Sequence, residues 1–141
     1  RHYHAALMRT EVIGAARPEH ARYHAAAQEA LLACEAQLRP GSTLADVFAA
    51  HAEVLDAHGL AAHRLNACGY ALGARFSPSW MEPQRFHAGG TDVSGVDQGY
   101  FLHMIIMDSE SGTAMTLGRT SLVTAGGAEP LSRLPLDFAV R

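Results

Sequence analysis

His103 is the one ionisable residue in an otherwise apolar run, Tyr100-Phe-Leu-His-Met-Ile-Ile-Met107. Burial there disfavours the imidazolium and lowers its pKa, which suits a general base. The same placement also fits a core histidine bonded to a backbone carbonyl. Arg119 is a lone cation inside another strand-like stretch, and it needs a carboxylate, a substrate anion or solvent. Glu82 follows Trp80 in a segment that leaves the small-residue turn Gly69-Tyr-Ala-Leu-Gly73. It reads equally as a catalytic carboxylate or as a loop residue. His4 immediately precedes the first strand-like stretch, and Tyr70 sits at the tip of the glycine turn.

The nine histidines invite a metal hypothesis, and His20 and His24 have the i, i+4 spacing that lets two imidazoles share an ion. Glu19 points elsewhere and Gln28 is a poor ligand, so a solvated helix face is the better reading. His51 and His58 edge the buried face of a second helix, and His2 and His4 point to one side of an extended segment. Asp92, Asp97 and Asp108 sit among turn formers. No G-x-S-x-G elbow occurs, and Gly69-x-x-x-Gly73 lacks the Lys-Ser/Thr of a phosphate loop. Cys34 and Cys68 lack the surroundings of an activated nucleophile. Two reduced thiols fit a cytoplasmic protein better than a disulfide does.

Helices and strands must position these groups. Residues 7–13 read as a strand ended by Gly14, and Pro18 starts a helix. Tyr23, Ala27, Ala30, Leu31, Cys34 and Leu38 recur at steps of three and four up to Arg39-Pro40-Gly41. Thr43 and Asp46 form a capping box that opens a second helix, stopped by Gly59. Residues 74–98 read as loop, 100–107 as a strand buried on both faces, and 113–124 as its partner. The order predicts an α+β plan, helices on a curved antiparallel sheet. A net charge of −3 without basic clusters excludes an electrostatic case for nucleic acid, and no apolar run is long enough to span a membrane. The abrupt start, Arg1-His-Tyr-His, suggests an upstream part elsewhere.

Five segments, in order, resemble one family. Tyr3-His-Ala-Ala-Leu-Met-Arg-Thr10 with Gly14, Arg39-Pro-Gly-Ser-Thr43, Gly69-Tyr-Ala-Leu-Gly73, Gly99-Tyr-Phe-Leu-His103, and Ser121-Leu-Val-Thr124 with Gly126-Gly-Ala-Glu-Pro-Leu131 are similar to motifs of the creatinase, aminopeptidase P and prolidase "pita-bread" family. The resemblance runs nearly end to end and implies that residues 1–141 form the C-terminal portion of a pita-bread catalytic domain, incomplete in this chain. Metal-dependent members hold two divalent ions through Asp, His and Glu. The first Asp would lie upstream of this chain, and the other positions fall here on Ala6, Tyr70, Ile105 and Gly118 or Arg119, so the resemblance implies no metal and no cofactor.

Among metal-free members, His4, Tyr70, Trp80, Glu82 and His103 resemble residues of the creatinase and ectoine-hydrolase-like group. What this implies is a metal-independent hydrolase of a C–N bond in a small amidine, cyclic amide or guanidino-like substrate. Glu82 or His103 would be the base, Tyr70 a donor, Trp80 a wall, and His4 and Arg119 substrate contacts. The alternative is a degenerate, non-catalytic pita-bread module used for dimerisation or binding. Either reading leaves sheet edges to be covered, by a second copy or by the missing N-terminal part.

Overall fold

The computed structural model describes residues 2–141. Its elements are β1 (Leu7–Met8), β2 (Glu11–Val12), α1 (Pro18–Gln37), α2 (Leu44–Ala57), β3 (Gly69–Leu72), β4 (Met81–Arg85), β5 (Gly99–Asp108), β6 (Thr113–Thr124), β7 (Gly127–Pro130) and β8 (Ala139–Val140). The main sheet has the order β1-β6-β5-β3-β4, and β7 also pairs with β6. These pairings are all antiparallel. The α+β plan with two helices on one side of the sheet is as the sequence predicts.

Pro18 occupies the first turn of α1, where its missing N–H costs nothing. The expected stripe is fully buried: Tyr23, Ala27, Ala30, Leu31, Cys34 and Leu38 are at most 1% exposed. Ala26, Ala27 and Ala30 supply no bulk, so the helix can lie close to the sheet. Helix α2 opens with the capping box. The Asp46 N–H donates to Thr43 Oγ1 at 3.1 Å, and the Thr43 N–H donates to Asp46 Oδ2 at 3.0 Å. Two more N–H groups of its first turn donate to the Asp92 and Gly90 carbonyls. The glycine-rich segment 87–95 is thereby tied to the helix it follows in space.

Two expected elements are corrected. Residues 7–13 are not one strand. Leu7–Met8 pairs with β6, whereas Glu11–Val12 leaves the sheet and pairs in parallel with β8. Side chains replace the ladder at the break: Arg9 donates to the Met8 and Gly118 carbonyls, and the Thr10 hydroxyl donates to the Thr116 carbonyl. Residues 74–98 are not wholly loop, because Met81–Arg85 forms an edge strand. Its Pro83 and absent alternation conceal it in sequence, but a proline is tolerated where one side of the strand has no partner.

Strand β5 sorts its residues by period two. Tyr100, Leu102, Met104 and Ile106 join the helix-side core, leaving Phe101, His103, Ile105 and Met107 for the other face. On β6 the same alternation sends Met115, Leu117 and Val123 to the core and Thr116, Gly118 and Thr120 to the face of His103.

His51, on the buried side of α2, is 1% exposed, and neither ring nitrogen has a hydrogen-bond partner among the described residues. Burial and then the Arg64 charge push its pKa from 6.5 down to about 4. Unfolded His51 therefore binds a proton at a pH where the folded protein refuses it. Its contribution is present above the unfolded value and is lost as pH falls towards 4, amounting at most to about 3 kcal/mol. His51→Leu should flatten the stability–pH curve by about one proton between pH 6.5 and 4. Urea midpoints across that range check this. The slope should not vanish, because burial also lowers the pKa of His24 and His103.

Candidate active site

Tyr70 of β3 lies opposite Phe101 of β5, and His103 lies opposite Gly118 of β6. This register gathers three rings on the face away from the helices. Tyr70 and Phe101 have centroids 5.5 Å apart, Tyr70 and His103 5.8 Å, and Phe101 and His103 5.6 Å. His103 is only half-buried, but its Nδ1 is buried and has no hydrogen-bond partner among the described residues. Burial lowers the pKa of the imidazole, which favours the neutral ring at ordinary pH. Trp80 Nε1–H donates to the Tyr70 hydroxyl at 3.2 Å. That bond uses a phenol lone pair and leaves the phenol O–H free to donate.

His4 stands beside this group. Its Nε2 is 2.7 Å from the Arg75 carbonyl, so this nitrogen carries the proton. The ring lies 5.1 Å from that of Phe76, and His4, Phe76 and Trp80 line one cavity of about 280 Å³.

Glu82 and Arg119 stand elsewhere. Glu82 is one residue past Met81, which pairs with Leu72. Its carboxylate lies where a side chain on Gly73 would be, with Oε1 2.6 Å from that position. It borders a separate cavity of about 270 Å³ that Ala71, Asp97 and Tyr100 also line. Arg119 pairs in register with Leu102 and so projects to the helix side. There it forms a two-pronged ion pair with Glu35 of α1, Nε to Oε1 at 2.8 Å, and Ser121 donates to the same carboxylate. Of the partners that Arg119 required, the structure supplies the carboxylate. Glu35 was not singled out in the sequence, and its only signal was its place one residue after Cys34 on the edge of the α1 stripe. Phe101 was missed as well, although strand alternation places it beside His103.

The other expected histidine roles also resolve. His24 is buried against Phe138, and His20 accepts from the Arg17 N–H. His58 is 2.8 Å from Glu29. Cys34 and Cys68 are both free and buried. Asp108 is bonded by Tyr23 and Ser111 and by two turn N–H groups, so it anchors the β5–β6 turn.

A divalent metal needs several anionic oxygens, and this face offers none from the chain's own residues at the four expected positions. The Ala6 N–H and carbonyl are both engaged by the Thr120 hydroxyl. At Gly118 an added Cβ would lie 2.7 Å from the Leu102 carbonyl oxygen and 3.0 Å from Phe101 Cζ. The ring of Phe101 therefore fills the space that a ligand side chain from residue 118 would need. No group of three His, Cys, Asp or Glu that could hold an ion exists among the described residues. The donors that the described residues offer do not by themselves fit a metal centre.

The curved sheet with its helix pair and this ring-lined face define a chain of the pita-bread class. Residues 1–99 match the Metallopeptidase family M24, and the chain belongs to that family. It is similar to an uncharacterized hydrolase/peptidase, y4tM, of Sinorhizobium fredii, with 30% identity over 99% of this chain and 35% of that protein. Dipeptidase PepE from Mycobacterium ulcerans superposes with a TM-score of 0.88 at 26% identity, covering 98% of this chain and 36% of that one. X-Pro aminopeptidase from Thermotoga maritima gives 0.89 at 17% identity, over 99% and 38%. The chain thus spans about a third of the length of its curated relatives and forms part of a pita-bread domain.

Substitution at Gly118 tests the closed ligand position. Gly118→Ala should destabilise the protein by about 1–3 kcal/mol through overpacking against Phe101 and the β5 backbone. Gly118→Ala combined with Phe101→Leu should recover part of that loss. Denaturant midpoints of the two single variants and the double variant check both statements. Arg119→Ala should also cost about 3 kcal/mol or more, because it strands a nearly buried Glu35. Glu35→Gln in the same background should restore part of the loss.

Proposed function

We propose that this chain carries the reactive residues of a metal-independent hydrolase that cleaves a C–N bond in a small substrate, as in the creatinase and ectoine-hydrolase-like members of the family. The observation that supports this most is the packing of the His103 ring against that of Tyr70, centroids 5.8 Å apart, on a face whose expected ligand positions hold no carboxylate. His103 accepts a proton from the attacking water. Tyr70 donates to the negative charge that develops on the substrate, with its orientation held by Trp80. His103 is favoured over Glu82 as the base because its ring packs against Tyr70, whereas Glu82 borders the cavity lined by Ala71, Asp97 and Tyr100. Glu82 is then left to shape the edge strand around Gly73, and Arg119 to hold α1 on the sheet.

M24 membership and the hydrolase/peptidase relatives support the hydrolase class; the substrate and the metal-independent mechanism are our reading. The open face also calls for a cover, which we assign to chain outside these residues or to a second copy. Two free buried cysteines favour the cytoplasm, and among the described residues no helix is long and apolar enough to cross a membrane.

The test uses full-length protein with creatine, ectoine and dipeptides as a substrate panel. Turnover should survive dialysis against a chelator. His103→Ala should lower kcat by about 10²–10⁴ and Tyr70→Phe by about 10²–10³, whereas Glu82→Gln should keep most of the activity. Full turnover in both His103→Ala and Tyr70→Phe would sink the mechanism. Activity lost to chelation and restored by a divalent ion would sink the metal-independent reading.

A further inference from the structure

We infer that Phe101 is a positioning residue of this site: its ring fixes His103 and Tyr70 towards each other and stands in for the hydrogen-bonded partner that a histidine base ordinarily has. This rests on the hydrolase reading above and deepens it.

A histidine that moves protons is usually oriented through its second ring nitrogen, by a carboxylate or a carbonyl. At His103 no other residue among those described bonds Nδ1, and that atom is buried. A group from outside these residues could reach it only by displacing what covers it. Orientation therefore has to come from packing. Two rings pack on the imidazole, Tyr70 at 5.8 Å and Phe101 at 5.6 Å.

Of these two, Phe101 is the fixed one. It is 3% exposed and lies on β5, which is paired on both sides, by β3 and by β6. In register it stands between Tyr70 and Thr120. The Thr120 hydroxyl is itself held by the N–H and the carbonyl of Ala6. Its Cζ lies over Gly118 so closely that a Cβ there would be 3.0 Å away. The ring is thus confined on several sides, whereas the Tyr70 hydroxyl is held by one bond from the half-exposed Trp80.

The contacts of Phe101 suit this role. Its ring is inclined 63° to Tyr70 at 5.5 Å and 48° to His103. Inclined aromatic pairs at such separations are attractive and directional, and an apolar wall keeps water from one side of the imidazole. Burial is the largest influence on the His103 pKa and lowers it, and the residue's own backbone opposes this in smaller part. The other titratable groups near the ring are Tyr70 on β3 and His51 of the helix layer, on which the His103 charge also acts. Strand β6 places the uncharged Gly118 opposite His103.

The test uses full-length protein with isotope-labelled histidine, the His103 resonance being assigned by its loss in His103→Gln. Phe101→Leu should raise the His103 pKa by about 0.5 or more as water gains the ring. The acid limb of kcat/KM then moves to higher pH with it. On any substrate of the panel kcat should fall about tenfold or more, while KM changes by less than about twofold. Phe101→Met, of nearly equal bulk, should move the same readouts in the same direction and serves where the leucine variant is unstable. Met115→Ala, which opens the helix-side core, should lower the melting temperature and leave the His103 titration unchanged. That control separates positioning from stability. An unchanged His103 titration in both Phe101 variants, or an equal shift in Met115→Ala, overturns the assignment. The two readings fail separately. Wild-type turnover that persists undiminished in both Phe101 variants removes the positioning role and leaves the hydrolase. No turnover in the wild type, with the His103 titration still governed by Phe101, removes the hydrolase and leaves Phe101 as the residue that sets His103.

Discussion

The antiparallel pairing of Gly99–Asp108 with Thr113–Leu122 is the constraint on which the rest of the structure depends. It is the longest ladder in the molecule, and its two faces have opposite tasks. One face gives Leu102, Met104, Ile106, Met115 and Leu117 to the core beneath α1. The other presents Phe101, His103 and Gly118 with Tyr70. Because side chains alternate strictly along a strand, a slip of one residue would exchange these sets and put His103 into the helix core. The Asp108 turn, the Arg119–Glu35 pair and the closely packed Gly118 all oppose such a slip.

The same ladder accounts for what this face can and cannot do chemically. Phe101 folds over Gly118 and closes the place where a carboxylate would have to stand. What remains is a set of rings with polar edges: a phenol, an imidazole and an indole. Such a set can move a proton and accept or donate a hydrogen bond, but it cannot neutralise two divalent charges. Burial sharpens this chemistry by favouring the neutral form of His103, at the expense of an unpaired nitrogen. His51 carries a similar burden inside the helix layer, so buried ring nitrogens without a partner occur at both histidines among the described residues.

The helices, their caps and the two long strands were legible because each has a local cause. The stripe from Tyr23 to Leu38, the Thr43–Asp46 box and the run 100–107 depend on neighbours within a few residues. The elements that escaped lack such a cause. Strand β4 contains Pro83 and exists because β3 gives it one edge, and the break at Arg9-Thr10 exists because side chains reach residues more than a hundred positions away. The site behaved likewise. Tyr70, His103, Trp80 and His4 stood out by residue type, as did Glu82 and Arg119, yet only the first four adjoin one another.

The sequence by itself determined the family, the order of the elements and the absence of carboxylates from the expected ligand positions, since motif spacing and residue identity are properties of the chain. Only the tertiary structure decided which polar groups share a face. Strand pairing sets the side to which each side chain points, and that pairing is made between residues distant in sequence. It moved Glu82 to the edge and Arg119 to Glu35, and it joined Tyr70, His103 and Trp80 into one group.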